Sequence, residues 1–168
     1  MDTPAEKAYA KALHLLSYRD HSAQEIRRKL LDRGWEDHVV EETIVHLTER
    51  GYLNDTSYAA RWARHLACNK LYGNQRIEAG LRQKGFDQEA IYKALEEARL
   101  EISEEEGMNQ LLRKIEAAGK KNASQEQAAQ MVQSDKRTAQ YLMRKGYPAA
   151  LIFSKIKKLK VDDGGWDT

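Results

Sequence analysis

Cysteine is nearly absent from the 168-residue chain: Cys68 stands alone, so neither an intrachain disulfide nor a cysteine-based zinc framework can form, which fits a reducing compartment. Proline occurs twice and valine five times, against abundant Ala, Leu, Glu, Lys, Arg and Gln. That balance disfavours strands and argues against a sandwich, a barrel or an alternating α/β fold. No apolar run approaches the roughly 18 residues of a membrane helix, and the opening Met1-Asp2-Thr3-Pro4-Ala5-Glu6 has no basic, apolar signal pattern. A cytoplasmic location is expected. Nucleotide-binding glycine loops and the nucleophile elbow are missing too, so the chain is read as a non-enzyme without cofactor.

What is present is a helical composition, 41% hydrophobic and 32% charged, with 28 Lys and Arg against 26 Asp and Glu. Three segments align on a glycine: Leu30 to Gly34-Trp35, Leu81 to Gly85-Phe86 and Leu142 to Gly146-Tyr147. Glycine accepts the left-handed conformation that ends a helix, and in a Schellman cap the residue after it touches the one four positions before. Gly34, Gly85 and Gly146 are therefore read as structural caps, and Leu47 to Gly51-Tyr52 repeats the pattern. Downstream, Val40, Ile91 and Ile152 are followed four residues later by Ile44, Leu95 and Ile156, one face of a second helix. Upstream stand Ser22, Gly73 and Ser134 as helix starts, with Ser22-Ala23-Gln24-Glu25 in the form of a capping box.

A further helix precedes each of the first two corners, over 5–18 and over 56–69, the latter with Asp55 as its expected N-cap. The pattern predicts an all-α fold of three tandem three-helix repeats in an elongated, curved arrangement, over residues 1–54, 55–98 and 99–160, with a flexible tail at 161–168. About ten extra residues fall within 96–134, where 100–118 reads as a long charged helix and Gly119 to Asn122 as a break.

These residues resemble the RecX family, bacterial regulators of the RecA recombinase. The matching pieces are Ser17 to Leu30, which includes Ser22-Ala23-Gln24-Glu25-Ile26-Arg27-Arg28; Gly51-Tyr52-Leu53-Asn54-Asp55 with Tyr58-Ala59-Ala60-Arg61; Tyr72-Gly73-Asn74-Gln75-Arg76-Ile77; Leu81-Arg82-Gln83-Lys84-Gly85; and Tyr141 to Tyr147. They span most of residues 8–160. Asn54 departs from the family's usual acid, and 96–134 matches poorly. The resemblance implies a monomeric, non-catalytic protein of homologous recombination, DNA repair and the SOS response. Such a protein would bind the RecA filament on single-stranded DNA and inhibit its ATPase, strand exchange and co-protease activity, by lodging in the groove or capping the end.

Charge is segregated. Residues 107–160 carry 12 basic and 3 acidic side chains, whereas residues 1–50 carry 8 and 10. Candidate contacts to RecA or to single-stranded DNA, the latter salt-dependent, are Arg137, Arg144, Lys145, Lys155, Lys157, Lys158 and Lys160 in the third repeat. Arg76, Arg82 and Lys84 around the second corner, and Arg27 and Arg28 in the first repeat, are secondary candidates. His65 and Cys68 are three apart on one helix, but zinc requires about four ligands and no second pair accompanies them. The competing reading is a helix-turn-helix DNA-binding protein, against which Glu36, Asp37, Glu41, Glu42, Asp87 and Glu89 open the first two post-corner helices with acids.

Overall fold

The computed structural model describes residues 3–122 and 135–163. Among the described residues there are nine helices and no strand. They are α1 (Pro4–Tyr18), α2 (Ala23–Leu31), α3 (Asp37–Glu49), α4 (Asp55–Arg64), α5 (Asn74–Gln83), α6 (Gln88–Glu101), α7 (Glu104–Asn122), α8 (Asp135–Arg144) and α9 (Ala149–Asp163). A π-helical turn, His65–Asn69, continues α4. The fold is all-α, with one three-helix repeat following another.

Local signals set the boundaries. Thr3 and Glu6 form a capping box at α1, with Pro4 in the first turn where a missing N–H costs nothing. Ser22 and Glu25 form the same device at α2. The corners behave as Schellman caps: the amides of Trp35, Tyr52, Phe86 and Tyr147 donate to the carbonyls of Leu30, Leu47, Leu81 and Leu142 at 2.9 to 3.3 Å. The intervening glycines, Gly34, Gly51, Gly85 and Gly146, have φ between 75° and 91°, where any Cβ is strained.

Three expectations are corrected. Asn54, not Asp55, caps α4: its Oδ1 accepts from the Ser57 amide at 2.9 Å. Asn serves as well as Asp at that position, and the Asp55 carboxylate is taken elsewhere. The long helix expected over 100–118 is divided, because Ser103 accepts from the Glu106 amide at 3.1 Å and starts α7. Finally, the break expected at Gly119 to Asn122 lies inside α7, since a glycine tolerated in a helix costs only about 1 kcal/mol. Ser134 and residues 164–168 lie outside the described residues.

The chain forms two compact bodies, Met1–Trp62 with Gly80–Ala94, and Ala63–Ala79 with Leu95–Thr168. In the first, Ala12, Ile26, Leu30, Val40, Ile44, Leu47 and Leu53 make a continuous buried cluster, with Trp35 packed against it. Each such Leu or Ile contributes on the order of 1.5–3 kcal/mol by leaving water. In the second, Leu71, Ile77, Met108, Leu142, Tyr147 and Ile152 are all but inaccessible.

Candidate functional site

In the first body, the start of α2 is a ledge on which the later chain rests. The Ala23 amide donates to Asp55 Oδ1 at 2.9 Å, and the Ser22 hydroxyl donates to the Lys84 carbonyl. The Gly85 backbone lies so close to the Gln24 side chain that a Cβ there would collide with it. Glu25, buried at the same ledge, receives the Ser22 amide at 3.0 Å, pairs with Arg19 at 3.0 Å and faces the Lys84 ammonium at 3.6 Å. Burial pushes its carboxyl up, but Arg19, the Ser22 amide and Lys84 together outweigh it and hold the group below its ordinary value. Lys84 also sits over the rings of Tyr58, at 5.2 Å, and Trp62, at 5.6 Å.

The second body repeats this ledge 51 residues later, at the start of α5. The Asn74 amide donates to Glu104 Oε1 at 2.6 Å, as Ala23 does to Asp55. The Gly73 amide donates to the Lys145 carbonyl at 2.9 Å, in the place of the Ser22 hydroxyl, and the Gln75 amide reaches the Gly146 carbonyl at 3.2 Å. Gly73 is required by space, since a Cβ would run into the Gly146 carbonyl. Arg99, half-buried, locks the ledge through Asn74 Oδ1 at 2.7 Å and the Tyr72 carbonyl at 2.9 Å.

The two ledges differ in charge at one position. Where the first has Glu25, the second has Arg76. Its guanidinium donates to the Arg144 carbonyl at 2.7 Å and lies 4.3 Å from the Tyr72 ring centroid. Lys145 reaches the same ring at 4.9 Å and Tyr141 at 5.4 Å. Gln75, Arg76, Met143, Arg144 and Gly146 line a depression of about 330 Å³ beside them. Among the described residues, no ion pair engages Arg76, Arg144 or Lys145.

The remaining nominated cations are differently placed. Arg27 is held bidentately by Glu41, at 2.6 and 2.7 Å, and by Gln24 at 2.8 Å. Arg28 is exposed on α2. Arg82 is exposed and donates to Gln88 Oε1 at 2.9 Å. Arg137 is exposed on α8 and Lys155 half-buried on α9. Lys157, Lys158 and Lys160 fall on α9, with side chains outside the described residues. Tyr72, Tyr141, Gln75 and Met143 escape a reading by charge alone. The spacing of Tyr141 and Lys145, four apart on one helical face, was a legible signal.

Cys68 offers its thiol to Glu101 at 3.7 Å, and burial together with that carboxylate raises its pKa, which keeps it a poor nucleophile. Among the described residues, no group of three or more His, Cys, Asp or Glu side chains converges as a metal site.

Known proteins match up to 94% of the chain. The family model described as "RecX, first three-helix domain" matches residues 8–53, and that of the second three-helix domain matches residues 54–95. A regulatory protein RecX of Amycolatopsis mediterranei is 30% identical over 161 residues, 94% of this chain and 87% of that protein. One of Vibrio cholerae is 44% identical over 73 residues, a match spanning 44% of this chain and 47% of that protein. The crystal structure of RecX from Lactobacillus salivarius has a similar fold, with a TM-score of 0.73 at 24% identity over 94% of this chain and 97% of that one.

Proposed function

The chain belongs to the RecX family of regulatory proteins, and we propose that it is a negative regulator of RecA. In this reading it binds the RecA filament on single-stranded DNA and inhibits ATP hydrolysis, strand exchange and co-protease activity, by groove binding or end capping. The observation that carries it is the family relationship to a regulatory protein matched over 87% of its length. Physical support comes from the repeats themselves. The corners at Gly34, Gly85 and Gly146 offer several weak contacts to a target that repeats, and such contacts multiply when geometry lets them engage together.

The protein acts in this reading as a cytoplasmic monomer, by occupancy and without catalysis or cofactor. No helix among the described residues is long and apolar enough to cross a membrane. A sequence-specific helix-turn-helix role is the weaker reading. Exposed Asp37, Glu41 and Glu42 on α3, and exposed Asp87 just before α6 with Glu89 on it, would face phosphates at the helices that such a role places in the groove.

The test is steady-state ATP hydrolysis by RecA on single-stranded DNA while this protein is titrated up to RecA's own concentration. Strong loss of hydrolysis is expected. Loss well below equimolar protein favours end capping, and unchanged hydrolysis at equimolar protein removes the reading.

A further inference from the structure

We propose that the depression lined by Arg76 and Arg144, with Lys145 beside it on the Tyr72 ring, is a subsite that grips a backbone phosphate of single-stranded nucleic acid and seats its base. The proposal deepens the regulator reading and rests on it for placing a single strand within the target. It assigns direct strand contact to the corner after α8 and withholds it from the corner after α5.

The two ledges occupy equivalent positions, share the amide-to-carboxylate bond at Ala23 and Asn74, and carry opposite charge at one position. At the first, Glu25 answers the corner lysine Lys84 at 3.6 Å, and the lysine is spent inside the fold. At the second, the equivalent residue is Arg76, a second cation at the corner of Lys145. Both cations lie against the Tyr72 ring, at 4.3 and 4.9 Å from its centroid, so they are closer together than a Debye length of about 10 Å at 0.1 M salt. Arg144 lines the same depression as Arg76.

Like charges gathered this way oppose folding, and among the described residues no ion pair relieves them. Yet they are held in place: Arg76 by the Arg144 carbonyl at 2.7 Å, Lys145 by two tyrosine faces. Cations fixed beforehand bind an anion without the entropy of ordering them afterwards.

The lining selects nucleic acid over a carboxylate-bearing protein surface. A carboxylate would need only the charge. Here Met143, 42% exposed, shares the wall with the arginines, and partly exposed Tyr72 and Tyr141 stand against the cations. Phosphate beside an apolar or aromatic surface is the composition of a nucleotide, and single-strand binders pair a cationic track with such surfaces. The volume, about 330 Å³, is at the small end of ligand sites, which suits one nucleotide of a longer strand.

The test is fluorescence anisotropy of a labelled oligothymidylate titrated with the full chain, repeated over a salt series. Arg144→Glu and Lys145→Gln are expected to weaken binding about tenfold or more and to flatten the log-log salt slope by ~0.7 for each phosphate that is no longer neutralised. Arg144→Lys should retain most of the affinity, and Lys7→Glu, a charge reversal on exposed α1, should leave it within about twofold. Each variant is melted first, and Arg144→Gln replaces any that fails to fold. Unchanged binding in the two corner variants, an equal loss in Lys7→Glu, or no binding by the wild type would each overturn the subsite. So would corner variants that keep DNA affinity but no longer inhibit RecA, since the site would then belong to an acidic protein surface. If the wild type fails to inhibit RecA while Arg144→Glu still loses DNA, the regulator reading falls and the subsite stands.

Discussion

The Tyr147 hydroxyl donates at 2.9 Å to the carbonyl of Leu71, 76 residues earlier in the chain. Leu71 is the one described non-glycine residue with a positive φ, 52°, and it is 1% exposed. A left-handed leucine costs on the order of 1–2 kcal/mol, so its neighbours must over-determine it. Tyr147 does so from the residue after Gly146, which couples the third corner's cap to the ledge before α5.

Replacing Tyr147 by Phe removes the hydroxyl and leaves the Leu71 carbonyl buried without its donor. A loss of about 1–3 kcal/mol in unfolding free energy is expected from denaturant melts, with helix content retained at low denaturant. A variant as stable as the wild type would show that the bond does not hold Leu71.

The same burial pushes the Tyr147 phenol up to about 12. In ultraviolet titration the Tyr147 phenol should therefore ionise late, toward about pH 12. The sign for stability follows. The unfolded chain releases this proton near 10 and the folded chain near 12, so its contribution is complete below about pH 10 and is lost as pH rises toward 12. Tyr147→Phe should abolish the late wave.

Gly73 and Ser22 occupy equivalent positions with different chemistry. A methyl group at Gly73 would overlap the Gly146 carbonyl, a backbone atom that cannot swing aside, so Gly73→Ala should lower the melting temperature more than Ser22→Ala. Ser22→Ala forfeits an N-cap and the bond to Lys84, an effect on the order of 1–2 kcal/mol. The order of the two melting temperatures checks the equivalence, and a reversed order would refute it.

Much of the helical frame is legible because its signals are local. A leucine, a glycine and an aromatic within six residues specify a Schellman cap, and Ser22 and Glu25 announce α2 at three-residue spacing. Ser103 and Glu106 carry the same message at α7, hidden in the acid-rich run from Glu96 to Glu106. The site is less legible because its decisive contacts are remote. Twelve basic residues stand out by charge, and only the fold brings Arg76 and Arg144 to one depression and Lys145 to the Tyr72 ring that Arg76 also covers. Lys84 and Lys145 look alike in sequence; what separates them is whether Glu25 or Arg76 waits at the ledge, about 60 to 70 residues away.

Acidification should loosen the first body through two buried groups. Burial holds His21 below its ordinary value, while its Nδ1 lies 3.0 Å from the Arg19 carbonyl. Its contribution is thus complete above about pH 6.5 and is lost as pH falls through the folded value. Glu25, also depressed, adds a second loss at lower pH, below about 4.3. Melting between about pH 7.5 and pH 5.5 isolates the histidine, and His21→Gln should flatten that part of the profile. Equal slopes in variant and wild type would exclude His21 as its source.

The contrast between the corner lysines gives the sharpest separation of stability from binding. Lys84→Met removes one of two cations facing buried Glu25, so it should cost about 1 kcal/mol of stability, with the Arg19 pair limiting the loss. DNA affinity should remain near that of the wild type. Lys145→Met removes a cation held beside another cation, so the fold should melt at or above the wild-type temperature while DNA affinity falls. Thermal melts and anisotropy on the same two preparations read both quantities. If both substitutions moved stability and affinity together, the charge at position 25 or 76 would not be what divides the two corners.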